Sequence, residues 1–165
     1  MKYNGTLRGI HPDSPDFFRI SYERLCEGNN YAASIHMINS GLVKLSILQK
    51  VQKVYRGLAG TLPRSFRVED RYCARGGVEL GFMSTTSNRE VAVEYASKSA
   101  GSLLMELEQG MTDRGAEISW LSQYPAEAEV CFPPLTAVCL LPRCTRTKDC
   151  GLGCHVTAPR APSPA

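Results

Sequence analysis

The sequence lacks any uninterrupted apolar run of the roughly 18 residues a membrane-spanning helix requires, so no span is expected. Its first twenty residues hold Pro12, Pro15 and several charges but no apolar leader core. That argues against a secretory signal and makes the cytoplasm the default location. Neither G-x-G-x-x-G nor G-x-x-x-x-G-K-[ST] occurs, which leaves a Rossmann dinucleotide fold and a P-loop without support. Histidine is scarce: His11, His36 and His155 lie far apart, and none is placed to serve a Ser-His-Asp or Cys-His arrangement. His36 falls within an amphipathic run and reads as a helix-surface or packing residue. Excess charge is small as well. The formal net charge of +3 is carried entirely from Arg143 onward, by Arg143, Arg146, Lys148 and Arg160 against Asp149. The first 142 residues are therefore neutral. A nucleic-acid module needs a clustered basic face, so nucleic acid is not an expected partner.

With 165 residues, 43% of them hydrophobic, the chain can bury one core but hardly two. Seven cysteines are many for a chain without a signal, and the number is odd, which weakens a disulfide framework. Four of them, Cys139, Cys144, Cys150 and Cys154, crowd together before His155 as C-x4-C-x5-C-x3-C-H. This is not the paired C-x2-C pattern of structural zinc. A zinc module is the minor reading, tail thiols are the default, and no metal is expected.

Along the chain, residues 1–28 hold Pro12, Pro15 and Gly28 and suggest an irregular arm. Tyr31, Ile35, Ile38, Leu42 and Leu45 then recur at helical spacing after the cap signal Asn29-Asn30. Val51 to Arg56 reads as a short strand stopping at Gly57. Val78 to Thr86 alternates as one strand and runs into Ser87-Asn88-Arg89-Glu90, an S-x-x-E capping box for a helix with Val91, Ala92, Tyr95 and Ala96 as its apolar stripe. Ser102 to Glu108 is a strand, residues 110–125 a loop, and Glu127 to Phe132 a strand ended by Pro133-Pro134. Leu135 to Leu141 is the remaining candidate to pair with the Glu129 strand. Residues 143–165 have the composition of a disordered Cys- and Pro-rich basic tail. Short strands with few helices imply the α+β class.

Several residues can carry chemistry. Glu127 and Glu129 are two apart in a strand-like run, which would put both carboxylates on one face. They are either two solvated glutamates on an edge or part of a cleft that receives a cation. Arg56, with Gly57 after it, is either a surface arginine or a bidentate phosphate ligand at a strand end. Ser84-Thr85-Thr86 ends an apolar strand, where hydroxyls serve as helix caps or as ligands.

Taken in order, Tyr55-Arg56-Gly57, then Gly81-Phe82-Met83-Ser84-Thr85-Thr86, then Tyr124-Pro125-Ala126-Glu127-Ala128-Glu129-Val130-Cys131-Phe132-Pro133-Pro134 closely resembles the arginine-specific mono-ADP-ribosyltransferases of the R-S-E class. Ile118-Ser119-Trp120-Leu121-Ser122-Gln123 also looks like that family's substrate-recognition loop. The resemblance implies an ADP-ribosyltransferase domain over residues 29–142: two small, mostly antiparallel sheets forming a cleft for NAD, flanked by helices. It implies NAD+ or NADP+ as co-substrate, no metal, and a protein with an accessible arginine as acceptor. By the same resemblance, Arg56, Ser84 and Glu129 are the catalytic set. Arg56, Gly57, Ser84 and Thr85 bind the dinucleotide, and Glu127 and Tyr124 hold the acceptor arginine. NAD hydrolysis, with water as acceptor, and an inactive nucleotide- or protein-binding relative are the alternatives. The sequence departs from the family pattern after Pro142, where it turns Cys-, Gly- and Pro-rich.

Overall fold

Prolines set the first boundaries. The computed structural model describes residues 2–12, 14–71, 74–98, 102–140 and 151–157. Pro12 and Pro15 fall between two helices, α1 (Lys2–Gly9) and α2 (Asp16–Cys26). Pro15 is the N-cap of α2, where a missing N–H costs no intrahelical bond. The irregular arm expected over residues 1–28 is thus a helical pair, because proline here starts a helix instead of preventing one. The predicted amphipathic helix is α3 (Ala32–Ile47). Asn29 and Asn30 accept from the N–H groups of Tyr31 and Ala32 at 2.9 and 3.1 Å, satisfying donors at its start.

The strands are β1 (Val54–Ala59), β2 (Gly76–Glu79), β3 (Met83–Thr86), β4 (Ser102–Glu108), β5 (Ala116–Glu117), β6 (Glu129–Phe132), β7 (Thr136–Leu140) and β8 (Gly151–Thr157), with α4 (Arg89–Ser97) between β3 and β4. They hydrogen-bond in the order β2-β7-β8-β4-β1-β3-β6-β5. Among the described strands, only β4 and β8 pair in parallel. The ladder between β1 and β3 is a single pair, Tyr55 with Thr86. A five-strand and a three-strand sheet therefore meet at one residue pair and diverge from it, which is the expected α+β arrangement of two small sheets. Between them lies the main core of Val54, Phe66, Met83, Met105, Leu107, Val130, Phe132 and Val138.

Several elements differ from expectation. The strand foreseen over Val78 to Thr86 breaks in two, because Glu79 and Asn4 capture the N–H groups of Gly81 and Phe82 at 3.0 and 2.8 Å and turn the chain between different partners. β2 pairs with β7, while β3 pairs with β6. Of the segment foreseen over Leu135 to Leu141, β7 (Thr136–Leu140) consequently lies beside β2 and β8 and not beside the Glu129 strand. The strand foreseen to end at Arg56 runs on through Gly57. A Cβ there would lie 2.1 Å from the Ala92 carbonyl oxygen, so glycine is what lets α4 lie against β1. Asn88, not Ser87, caps α4, accepting from the Glu90 N–H at 2.9 Å. The loop over 110–125 contains β5. Within the stretch read as a tail, residues 151–157 form β8, inserted between β4 and β7; two glycines per seven residues conceal a strand whose backbone is paired on both sides. Cys144 and Cys150 lie outside the described residues. Among those described, no cluster of three metal-ligating side chains occurs. No helix among them is long and apolar enough to cross a membrane.

Candidate active site

The cleft opens where β1 and β3 part. It has a volume of about 280 Å³ and is lined by Arg56 and Gly57 of β1, Ser84, Thr85 and Thr86 of β3, Ala92 and Tyr95 of α4, and Glu127 and Glu129. A neighbouring cavity of about 450 Å³, lined by Phe66, Gly77, Glu79 and Met83 among others, shares Arg56 and Leu58 with it. The guanidinium thus stands at the junction of two cavities.

Glu129 opens β6 and its carboxylate is held from two sides. Ser84 Oγ donates to Oε1 at 2.6 Å, and Ser122 Oγ donates to Oε2 at 3.4 Å. The strand register makes the first contact possible: Ser84 pairs with Cys131, so Glu129 is its diagonal neighbour on the same face. Thr85 and Thr86 turn their hydroxyls to the backbone, to the Val130 and Glu127 carbonyls, each at 2.6 Å. They lock β3 to the Glu-Ala-Glu segment. Cys131, across the ladder from Ser84, is buried. Burial, with Glu129 adding to it, pushes its thiol up to about 12.

Glu127 reaches the cleft by another route than expected. It does not lie on a strand with Glu129. It ends a short 3-10 turn, Pro125–Glu127, and Ala128 follows in the left-handed region (φ 47°, ψ 52°). This kink, and not strand alternation, brings both carboxylates to one cavity. The Glu127 carboxylate accepts from the Tyr95 hydroxyl at 2.7 Å. That hydrogen bond is the main cause holding the Tyr95 phenol above its ordinary pKa.

Arg56 is mostly buried, and its Nη2 donates to Glu79 Oε2 at 3.3 Å. Glu79 Oε1 accepts from Arg8 Nε of α1 at 2.9 Å and from the Gly81 N–H at 3.0 Å. Burial alone would raise the Glu79 carboxyl. The Arg8 hydrogen bond, the Gly81 N–H and the Arg56 charge outweigh it and hold the group below the usual carboxylate value. Burial lowers Arg56 against the pull of Glu79, yet a guanidinium stays charged. Two guanidinium groups share one carboxylate, so the cluster keeps a net positive charge beside the cleft.

Of the residues singled out from sequence, Arg56, Gly57, Ser84, Thr85, Glu127 and Glu129 come together. Tyr124 does not line the cleft; it is 59% exposed on the preceding loop, which also exposes Trp120 and Leu121. Sequence reasoning missed the parts played by Tyr95, Glu79 and Arg8. Tyr95 was visible only as one of an apolar stripe, and Glu79 only as one member of a strand alternation.

Comparison with known proteins identifies the family. The profile of the family described as NAD:arginine ADP-ribosyltransferase matches residues 18–144. The chain belongs to that family. No curated sequence matches. Among solved structures, the ADP-ribosyltransferase HopU1 of Pseudomonas syringae pv. tomato is 22% identical with a TM-score of 0.66, covering 94% of this chain and 63% of its own. The ADP-ribosyltransferase Vis from Vibrio splendidus, in complex with agmatine, is 21% identical with a TM-score of 0.64, covering 95% of this chain and 69% of its own. Exoenzyme S of Pseudomonas aeruginosa, bound to Carba-NAD, is 18% identical with a TM-score of 0.53, covering 93% of this chain and 64% of its own. At such identities the likeness concerns the fold. This ADP-ribosyltransferase-family chain spans less than two thirds of the HopU1 structure.

Proposed function

We propose that the chain transfers ADP-ribose from NAD+ to the guanidino group of an arginine on a protein acceptor and releases nicotinamide. The observation that carries this reading is the Ser84–Glu129 hydrogen bond of 2.6 Å in a cleft that also contains Arg56 and Glu127. The residues fit the dinucleotide. Arg56, at the junction of two cavities within a net-positive cluster, takes the diphosphate, where a planar charged fork is the apt group. Gly57 and Thr85 complete the wall against which the nicotinamide ribose rests.

Breaking the bond between nicotinamide nitrogen and C1′ sends its electron pair to the pyridinium. Nicotinamide leaves neutral, so no general acid is required. Positive oxocarbenium character develops on the ribose, as in glycoside cleavage. Glu129, fixed by Ser84, stabilises that charge through the ribose hydroxyls as a preoriented carboxylate. A guanidino nitrogen of the acceptor then bonds to C1′ and gives up its proton to the Glu127 carboxylate, which passes it to solvent. Glu127 holds the acceptor cation, and Tyr124 on the exposed loop supplies a ring for it to stack on. That a relative of the same fold is seen in complex with agmatine, a guanidino amine, supports this choice of acceptor.

The test is incubation with labelled NAD+ and agmatine, following nicotinamide release and labelled agmatine together. Both products are expected. Nicotinamide without labelled agmatine would leave a glycohydrolase, and neither product would leave a binding protein.

A further inference from the structure

We infer that Tyr95 is a positioning residue for the acceptor arginine: it fixes the Glu127 carboxylate, and through it the preference for a guanidino acceptor over water. The inference rests on the function proposed above and adds a residue to it.

Glu127 ends a three-residue turn and lines the cleft. Its backbone is secured, with the N–H donating to the Tyr124 carbonyl at 3.0 Å and the carbonyl accepting from Thr86 Oγ1 at 2.6 Å. The side chain has no such anchor in its own segment. Among the described residues, its hydrogen-bond partner is the Tyr95 hydroxyl, at 2.7 Å on Oε1. Tyr95 is itself held. It stands on α4 between Ala92 and Ala96, both buried, where α4 meets the Cβ-free Gly57. The Lys98 ammonium covers its ring at 4.4 Å from the centroid. The hydroxyl therefore reaches Glu127 from a rigid element.

A carboxylate on an exposed turn otherwise samples several rotamers, and only some face the cleft. Occupying Oε1 with a neutral donor selects one orientation and leaves Oε2 for a cation. Water needs no such cation site, so Tyr95 bears on transfer more than on hydrolysis.

The experiment compares transfer to agmatine with NAD+ hydrolysis in wild type, Tyr95→Phe, Glu127→Ala and the double variant. The expected ratio of transfer to hydrolysis falls about tenfold in Tyr95→Phe, mainly through the KM for agmatine. In the Glu127→Ala background, Tyr95→Phe is expected to change the ratio no further. An undiminished ratio in Tyr95→Phe overturns the inference, whether both activities hold or fall together. A further drop in the Glu127→Ala background also overturns it, because Tyr95 would then act without Glu127. A wild-type chain that hydrolyses NAD+ and never labels agmatine overturns the proposed function instead, and this inference with it.

Discussion

Glu129 and Glu127 stand two residues apart and are held by different neighbours, Ser84 and Ser122 for one and Tyr95 for the other. The division suits two tasks, one carboxylate facing the ribose and one facing an incoming cation. Glu129→Gln keeps the size of the side chain but removes the charge proposed to face the oxocarbenium. Transfer and hydrolysis should both fall on the order of 100-fold or more, with an unchanged melting temperature. Wild-type turnover in that variant would remove Glu129 from the reaction. Glu79 makes a prediction of another kind. Its folded-state carboxyl lies below the usual value, so it binds a proton more weakly folded than unfolded. The stability it contributes is complete above the unfolded carboxylate pKa and is lost as pH falls through the lower folded one. The gap in melting temperature between wild type and Glu79→Gln should be widest near neutrality and close below about pH 4. A gap that opened on acidification would contradict the Arg8–Glu79–Arg56 arrangement.

At the scale of elements, α4 is the part whose placement matters most to the cleft. Ala92 and Ala96 bury against β1, and Gly57 supplies the space. In Gly57→Ala the new methyl would stand 2.1 Å from the Ala92 oxygen and 2.7 Å from the Ala96 nitrogen, both backbone atoms that cannot swing aside. Such overpacking is expected to cost roughly 1–3 kcal/mol in chemical denaturation. Because α4 must retreat with Tyr95 on it, transfer to agmatine should suffer more than hydrolysis. Equal losses would show that α4 contributes stability alone. The sequence revealed this helix, its stripe and the strand before it, because a 3.6-residue period and a strand alternation are local signals. It did not reveal the break between β2 and β3. That break is made by Asn4, 78 residues from Phe82, and by Glu79 turning back on Gly81. Nor did it reveal the kink at Ala128. The Glu-x-Glu spacing pointed to the right pair of residues for a geometric reason that the structure replaces with a 3-10 turn.

For the whole molecule, the decisive feature is the strand concealed in the Cys-rich end. Residues 151–157 carry Gly151 and Gly153 and little apolar periodicity, so composition argued for a tail. Long-range pairing overrode it. β8 registers five residues against β4 and four against β7, and it is the link between β7 with β2 and the rest of the sheet. Removing it would bare the facing edges of β4 and β7, next to the core residues Leu107 and Val138. Two newly exposed edges invite pairing with other chains. A chain ending at residue 150 is therefore expected to lose cooperative thermal unfolding and to scatter light, whereas one ending at Thr157 should melt as the full chain does. An end at Cys154 cuts β8 within its pairing and removes the register of His155, Val156 and Thr157 with β7, so intermediate stability is expected. Circular-dichroism melts of the three chains decide the matter. If the chain ending at residue 150 melts cooperatively at the full-length temperature, the sheet closes without β8, and the divergence of the C-terminal end from its family leaves the fold untouched.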